Sequence, residues 1–423
     1  MTNETFDAIV IGGGPGGSAM GSYLAKAGKK VLLLEKEVFP RFHVGESLLP
    51  YNLRLFQELG VMPAMEAAGF PKKYGAQFGL GDKSKWVGFV FRQGRFTREP
   101  QAFQVERAPF DHILLKNAKS VGVDVREGWS ALKYETTDKD VAVHAKGPDG
   151  QPHVFRASYL ADASGRGNLT GNQDGLRISH ANLNKLAVFG HFLGVKLDPG
   201  ERAGDTVIIR LARKWFWVIP VSADKTSVGC VLDKEEFLRS KTAPEELFNR
   251  IVAETPAMRD RMMESQRVGP IYTTADFSYY NKRLVGPRLI RIGDAAGFLD
   301  PIFSSGVFMA MLSGKLGAEA ILGGLEGRST RRLFARYEKK FFSAMRFYWE
   351  MIEGFYTTPF MEVFLEPREK WDLPAAVNAA LAGELNGDWS LRWRMRVFFW
   401  LVKLQGKRPF LPKITFPVTL PHA

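Results

Sequence analysis

Six residues near the amino terminus constrain this chain more than any others. Gly12-Gly13-Gly14-Pro15-Gly16-Gly17 sets glycines at 12, 14 and 17 of a GxGxxG pattern. The pattern follows the apolar run Phe6–Ile11. It opens a helical pattern, Ser18–Ala27, after which Lys30–Glu35 reads as a second strand. Strand, glycine turn, helix and strand make one βαβ unit, the start of a parallel sheet. Gly12 permits the tight turn, Gly14 lets backbone approach a pyrophosphate, and Gly17 lets the helix pack close to the strand. The helix start adds free N–H groups and the positive end of its dipole. Glu35 ends the second strand, where an acid grips a ribose hydroxyl. An acid there favours a 2′-hydroxyl over a 2′-phosphate but does not separate FAD from NAD.

The rest of the chain reads as α/β. Leu48–Leu59 and Pro109–Ser120 are predicted helices. Ala131–Glu135, Val141–Ala145 and His153–Leu160 alternate around polar turns, which predicts a three-stranded antiparallel piece. A β-rich block follows, with strands near Leu186–Val195, Thr206–Leu211, Phe216–Val221 and Thr226–Leu232. A helical segment, Ala243–Met263, comes next. Leu289–Ile292 returns as a short strand, and a helix is expected from about Gly306. From about Arg328 the chain is helical and rich in aromatics. No low-complexity linker separates the blocks, so the β-rich block, about residues 186–270, reads as woven into the nucleotide-binding domain as the wall of a substrate cavity.

The second half of the chain supplies the cofactor's identity by resemblance. Gly293-Asp294 and then Pro301 give GDx6P straight after a strand. This resembles the second FAD signature of the glutathione-reductase-type flavoproteins. The resemblance implies that Asp294 holds the ribityl chain and that the following helix points at the flavin ring. Arg107, Asp111 and the run Asp162-Ala163-Ser164-Gly165 match further segments of that family. Arg107 would lie near the cofactor, and Asp162 would end a strand near the pyrophosphate.

Two more motifs narrow the class. Trp215-Phe216-Trp217-Val218-Ile219-Pro220 is WxWxIP, and Phe298-Leu299-Asp300-Pro301-Ile302-Phe303-Ser304-Ser305-Gly306 is FxxPxxSxG. Together they resemble the signatures of flavin-dependent halogenases, nearest the branch acting on phenols and carrier-tethered pyrroles. That resemblance spans about Phe6 to Gly317 and marks residues 1–325 as FAD-binding and halogenase core, with 326–423 a helical C-terminal region. It implies that FADH2, dioxygen and chloride or bromide yield hypohalous acid, which travels through a tunnel to a lysine. The lysine falls after the Gly45-Glu46-Ser47 motif, in Phe70-Pro71-Lys72-Lys73-Tyr74-Gly75-Ala76. Lys73 fits best and Lys72 is the fallback. By the same resemblance Arg41 and Ser47 lie near the cofactor. Trp215, Trp217 and Pro220 line the tunnel. Pro301 and Gly306 approach the flavin, and the N–H groups of Ser305 and Gly306 hold the halide. Physically, a buried lysine has a lowered pKa, so ammonium and amine are both within reach. Tryptophan-type members carry a Glu where this chain has Phe303, which argues against free tryptophan as substrate.

Charge and cysteine usage bound the partners. The 58 Lys and Arg against 45 Asp and Glu leave a net charge of +13, suited to steering phosphorylated cofactors, halide or an acidic protein. Cys230 is the one cysteine, in the apolar run Ser227–Leu232, so it is expected to be buried and inert. No secretory pattern and no apolar run near the roughly 20 residues of a membrane span are seen, so a cytoplasmic protein is expected. Arg392, Arg394, Arg396, Lys403, Lys407 and Arg408 are mixed with Trp393, Phe398, Phe399 and Trp400. This tail could pack over the substrate cavity, the favoured reading, dock an acidic carrier protein, or touch a membrane surface. No nucleic-acid motif accompanies it. One dinucleotide fingerprint implies reduced flavin from a separate reductase. The rivals on this scaffold are an aromatic hydroxylase, a reductase or desaturase, and a catalytically silent flavoprotein.

Overall fold

The computed structural model describes residues 4–180, 183–275, 278–384 and 389–416. The polar amino-terminal residues 1–3 and the tail after 416 lie outside the described residues. Two large sheets organise the rest. The first has eight strands. Thr5–Ile11 lies at its centre, parallel to Val31–Glu35 on one side and to Pro152–Asp162 on the other. Asp124–Glu127 and Leu289–Arg291 extend it in parallel on either flank. The three predicted antiparallel strands are present as Ser130–Thr136, Val141–Lys146 and Pro152–Asp162. The last is 11 residues long, so its second half also joins the parallel sheet.

The nucleotide helix, Pro15–Lys26, is buried along most of its length, with Ala19, Met20 and Leu24 in the core. Its small residues admit the helix Ser305–Leu325: a Cβ at Gly314 would come within 2.6 Å of the Gly16 carbonyl oxygen. Ser305–Leu325 is long and apolar enough by composition to cross a membrane, a length the sequence reading did not foresee. Two thirds of its apolar window is buried inside the protein. Its hydrophobicity therefore belongs to the core.

The second sheet has seven strands, in the order Gln266–Ala275, Lys185–Leu193, Lys225–Asp233, Trp215–Pro220, Thr206–Arg210, Gly75–Leu80 and Trp86–Val90. Strand alternation gives it two different faces. Val188, Val207, Phe216, Val218 and Cys230 pack against the helices Pro244–Glu254 and Pro256–Met262. Cys230 is fully buried as expected, and burial pushes its thiol pKa up. Ala187, Phe189, Ile208, Trp215, Trp217 and Ile219 face the other way, towards the first sheet and an open cavity.

Two local expectations change, and one short strand was not foreseen. The helix predicted over Leu48–Leu59 begins at Asn52, because Leu49 precedes Pro50 and the Asn52 side chain accepts from the Leu49 N–H at 3.1 Å. The helix predicted over Ala243–Met263 breaks at Thr255, ahead of Pro256. Lys72–Lys73 is a two-residue strand paired with Ala102–Phe103. After Arg328 the helices are Thr330–Phe355, Thr358–Phe364, Leu373–Leu381 and Trp389–Lys407.

Candidate active site

A cavity of about 810 Å³ runs between the glycine turn and the inner face of the second sheet. Gly12, Gly14, Pro15 and Gly16 form one end with Glu35. Gly12 has φ +103°, and a Cβ there would lie 2.3 Å from the Ala163 carbonyl oxygen. A Cβ at Gly17 would lie 1.9 Å from the Gly12 carbonyl oxygen, so turn and helix can close only as glycine. Gly14 meets nothing nearer than the Arg41 guanidinium at 3.7 Å, which leaves its backbone open to the cavity. Glu35 fixes the turn: its Oε2 accepts from the Gly13 N–H at 2.6 Å.

A cationic wall follows. Arg107 is clamped in two parallel hydrogen bonds to Asp111, at 2.8 and 2.9 Å, and donates to the Val44 carbonyl at 2.7 Å. Arg41 donates to the same Asp111 at 2.9 Å. Both arginines line the cavity, whereas Asp111 is fully buried behind them. Burial next to Arg107 lowers His43 to a pKa of about 4, so that ring is neutral. Asp162 does not line the cavity. Its carboxylate accepts from the N–H groups of Ser164 and Thr170 and so shapes the turn, leaving Ala163, Ser164 and Gly165 on the surface. Asp294 does line it, and desolvation pushes its pKa up to about 6.

The second motif pair closes the far end. Trp215, Trp217 and Ile219 line the cavity because they alternate on one strand. Pro220 lies on the opposite phase and is not among the lining residues, which departs from the tunnel expectation. Pro301, Ser304 and Gly306 line the cavity where the helix Ser305–Leu325 begins; Ser305 itself is buried and is not a lining residue. Phe303 is buried between Phe78 and Phe355, so its position carries no acid.

The two lysines separate. Lys72 is exposed and Lys73 is 2% exposed. The Lys73 amine donates to Ser47 Oγ at 2.9 Å and to the Leu48 carbonyl at 3.1 Å, and lies 5.6 Å from the Phe91 ring centre. Burial lowers its pKa to about 7, against a weaker pull from Asp205. Lys73 does not itself line the cavity. Ser47 does, and so does Thr206, whose Oγ1 lies 2.7 Å from Ser47 Oγ. Gln104 Nε2 donates to Thr206 Oγ1 at 2.9 Å and to the Gly204 carbonyl at 3.0 Å. Lys73 thus sits one hydroxyl behind the cavity wall.

Sequence reasoning missed Thr206 and Gln104, which no motif marks. It quoted Glu46 within a motif but gave it no role; Glu46 lines the cavity and meets His191 Nε2 at 2.6 Å. Tyr356 is a third omission. It accepts from the Trp215 indole N–H at 2.8 Å and donates to Asp300 Oδ2 at 2.9 Å, tying the helical C-terminus to both motifs. Among the described residues no lining residue of this cavity lies beyond Ala310: Tyr356 braces its wall from behind, and the Arg392–Arg408 segment, expected to pack over the substrate cavity, packs on Phe347 and Phe360.

A glycine turn at a helix start, an acid on the next strand, and a long cavity walled by arginines and a half-buried Asp fit a dinucleotide flavin. The fold and site are those of an FAD-dependent oxidoreductase, and residues 5–347 match the FAD binding domain family. The chain is 34% identical to a 1H-pyrrole-2-carbonyl-[peptidyl-carrier protein] chlorinase of Pseudomonas fluorescens over 88% of its length and 89% of the relative's. It is 33% identical to the corresponding brominase of Pseudoalteromonas luteoviolacea over 79% of its length and 81% of the relative's. The solved myxobacterial chondrochloren halogenase superposes with a TM-score of 0.78 at 30% identity, over 94% of this chain and 97% of the other. This chain belongs to the flavin-dependent halogenases: it is an FAD enzyme that halogenates an aromatic substrate.

Proposed function

We propose that the substrate is an electron-rich phenol or pyrrole, taken in carrier-bound form, and that Lys73 directs the halogen onto it. One observation carries the role of Lys73: a wholly buried amine of pKa about 7 is hydrogen-bonded to a hydroxyl of the FAD cavity wall. Gly12, Gly14, Gly17, Glu35, Arg41, Ser47, Arg107, Asp294, Pro301 and Gly306 would hold the cofactor. The helix start would offer the Gly306 N–H to the halide, with buried Ser305 behind it. When bound, reduced FAD supplies the electrons with which dioxygen converts halide to hypohalous acid.

The protein's own groups then act on a proton. Hypohalous acid gives its halogen to a ring carbon; the ring loses a proton, and the departing hydroxide takes one up as water. With Lys73 charged, its ammonium donates to Ser47 Oγ, the Ser47 hydroxyl to Thr206 Oγ1, and the Thr206 hydroxyl is left to donate into the cavity. Thr206 can hold this orientation because Gln104 donates to it from behind. With Lys73 neutral the array reverses, and the cavity side of Thr206 becomes an acceptor. A pKa near 7 makes the two states close in energy at neutral pH. Polarising the hypohalous oxygen needs the first state. Trp215 and Trp217 exclude bulk water and hold the substrate off the flavin.

The pyrrole-carrier activity of the Pseudomonas relative supports the carrier-bound form. A single dinucleotide fingerprint supports delivery of reduced flavin by a separate reductase. Lys73→Ala is expected to abolish halogenated product, read by mass spectrometry with FADH2, oxygen and chloride or bromide, while FAD binding and flavin reoxidation persist. Halogenation surviving in that variant removes Lys73 from the mechanism. Oxygenated product without halide dependence makes the enzyme a hydroxylase.

A further inference from the structure

The helix Trp389–Lys407 divides its residues between two surroundings. Leu391, Met395, Phe398 and Gln405 are buried, with the Phe398 ring edge-on to Phe360 at 5.4 Å. Arg392, Arg396, Trp400, Lys403 and Lys407 are exposed. Their spacing of four, four, three and four places them on one stripe. Trp400 is 57% exposed within it, and Trp389, 74% exposed, begins it. From Trp389 to the end of the chain there is no Asp or Glu. Among the described residues only Arg394, off the stripe, has an ion-pair partner from this helix, Asp372.

The surroundings extend the pattern. Phe399 packs against Phe347 with ring centres 6.5 Å apart, which brings up the helix Thr330–Phe355 and its exposed Arg346. On the other flank an apolar groove of about 220 Å³ lies between Phe364, Trp371, Leu401 and Phe410, with exposed Arg368 and Lys370 at its lip and one acid, Glu366, whose charge is met by Lys85. Like charges four apart on a helix repel, so the stripe destabilises the free protein slightly. An acidic partner turns that repulsion into attraction, and exposed Trp beside Arg is the composition of an interface anchor.

We infer that this face docks an acidic protein, the carrier that presents the ring. The inference rests on the carrier-bound reading above. A membrane fits the face less well. An interfacial helix inserts its apolar side into lipid, and here that side is spent on Phe360 and its neighbours.

Fluorescence anisotropy with a labelled peptidyl carrier protein carrying pyrrole-2-carboxylate tests it on the full chain. The wild type is expected to bind at low salt and to weaken about tenfold as salt rises. The R392E/R396E/K403E variant is expected to bind about tenfold or more weakly, with KM for the loaded carrier raised in step. Its FAD affinity and its turnover of a free pyrrole thioester should match the wild type. Trp400→Ala should weaken binding about tenfold without changing charge. Unchanged carrier binding by the charge-reversed variant overturns the docking face and leaves the carrier-bound reading standing. A wild type that halogenates the free ring but never the loaded carrier overturns both. Binding to phosphatidylglycerol vesicles but not to the carrier overturns the protein partner in favour of a lipid surface.

Discussion

The two faces of the seven-stranded sheet are built from the same strands and do opposite things. On Trp215–Pro220 the even positions Phe216 and Val218 sit in a solid core against two helices, and the odd positions Trp215, Trp217 and Ile219 border open volume. Apolar character does not distinguish the faces, since both are almost wholly apolar. Hydrogen bonding does. Trp215 and Trp217 each donate their indole N–H, to Tyr356 and Ser227, so their rings are fixed although one side of them faces space. The filled face stabilises by packing. The open face is kept open by rings anchored at their edges.

Substitutions on each face should therefore fail differently. Phe216→Ala is expected to cost about 3–5 kcal/mol of stability, as a cavity in a dry core, measured by denaturant unfolding. A smaller loss with altered halogenation would show that the packed face is also functional. The two lysines of the short strand just before Gly75–Leu80 give the next test. The folded pKa of Lys73 lies at about 7, below its ordinary 10.5, so between those values the unfolded chain holds a proton that the folded chain does not. Stability then rises with pH across that window, and Lys73→Met should remove the rise. Lys72→Met, at an exposed site, should leave it in place. Trp215→Phe comes third, at about 1 kcal/mol, because Tyr356 keeps its bond to Asp300. Its larger effect is expected in coupling, as peroxide released per flavin reoxidised. Thr206→Val should cost about 1 kcal/mol, because Gln104 keeps the Gly204 carbonyl and Ser47 keeps Lys73. In the wild type halogenation should fall as pH rises through about 7, when Lys73 loses its proton; in Thr206→Val that step should flatten while flavin binding holds.

Much of this was legible in the sequence where chemistry and chain proximity coincide. Gly12 to Glu35 is one continuous unit, so its turn, helix and acid could be placed by spacing. Lys73 was separable from Lys72 only by resemblance, and burial then made the physical distinction. The strands Gly75–Leu80 and Trp86–Val90 escaped notice because glycine hides them. A Cβ at Gly79 would lie 1.9 Å from the Trp86 ring, and one at Gly75 would lie 2.3 Å from the Phe89 carbonyl. Their glycines serve a close strand pair and erase the alternation that would reveal it. Tyr356 and Gln104 were invisible for another reason. Each reaches a partner about a hundred residues or more away, and nothing local marks a tyrosine or glutamine for that task.

The strand Trp215–Pro220 is held by antiparallel neighbours along both edges. Inserting or deleting a single residue there would exchange its faces wholesale, driving Phe216 and Val218 into the reaction chamber and the tryptophans into a core with no room for them. Divergence of this wall among descendants of the chain is thereby confined to replacements at alternate positions, and a change of substrate has to be written in side chains, with the length of the strand left untouched.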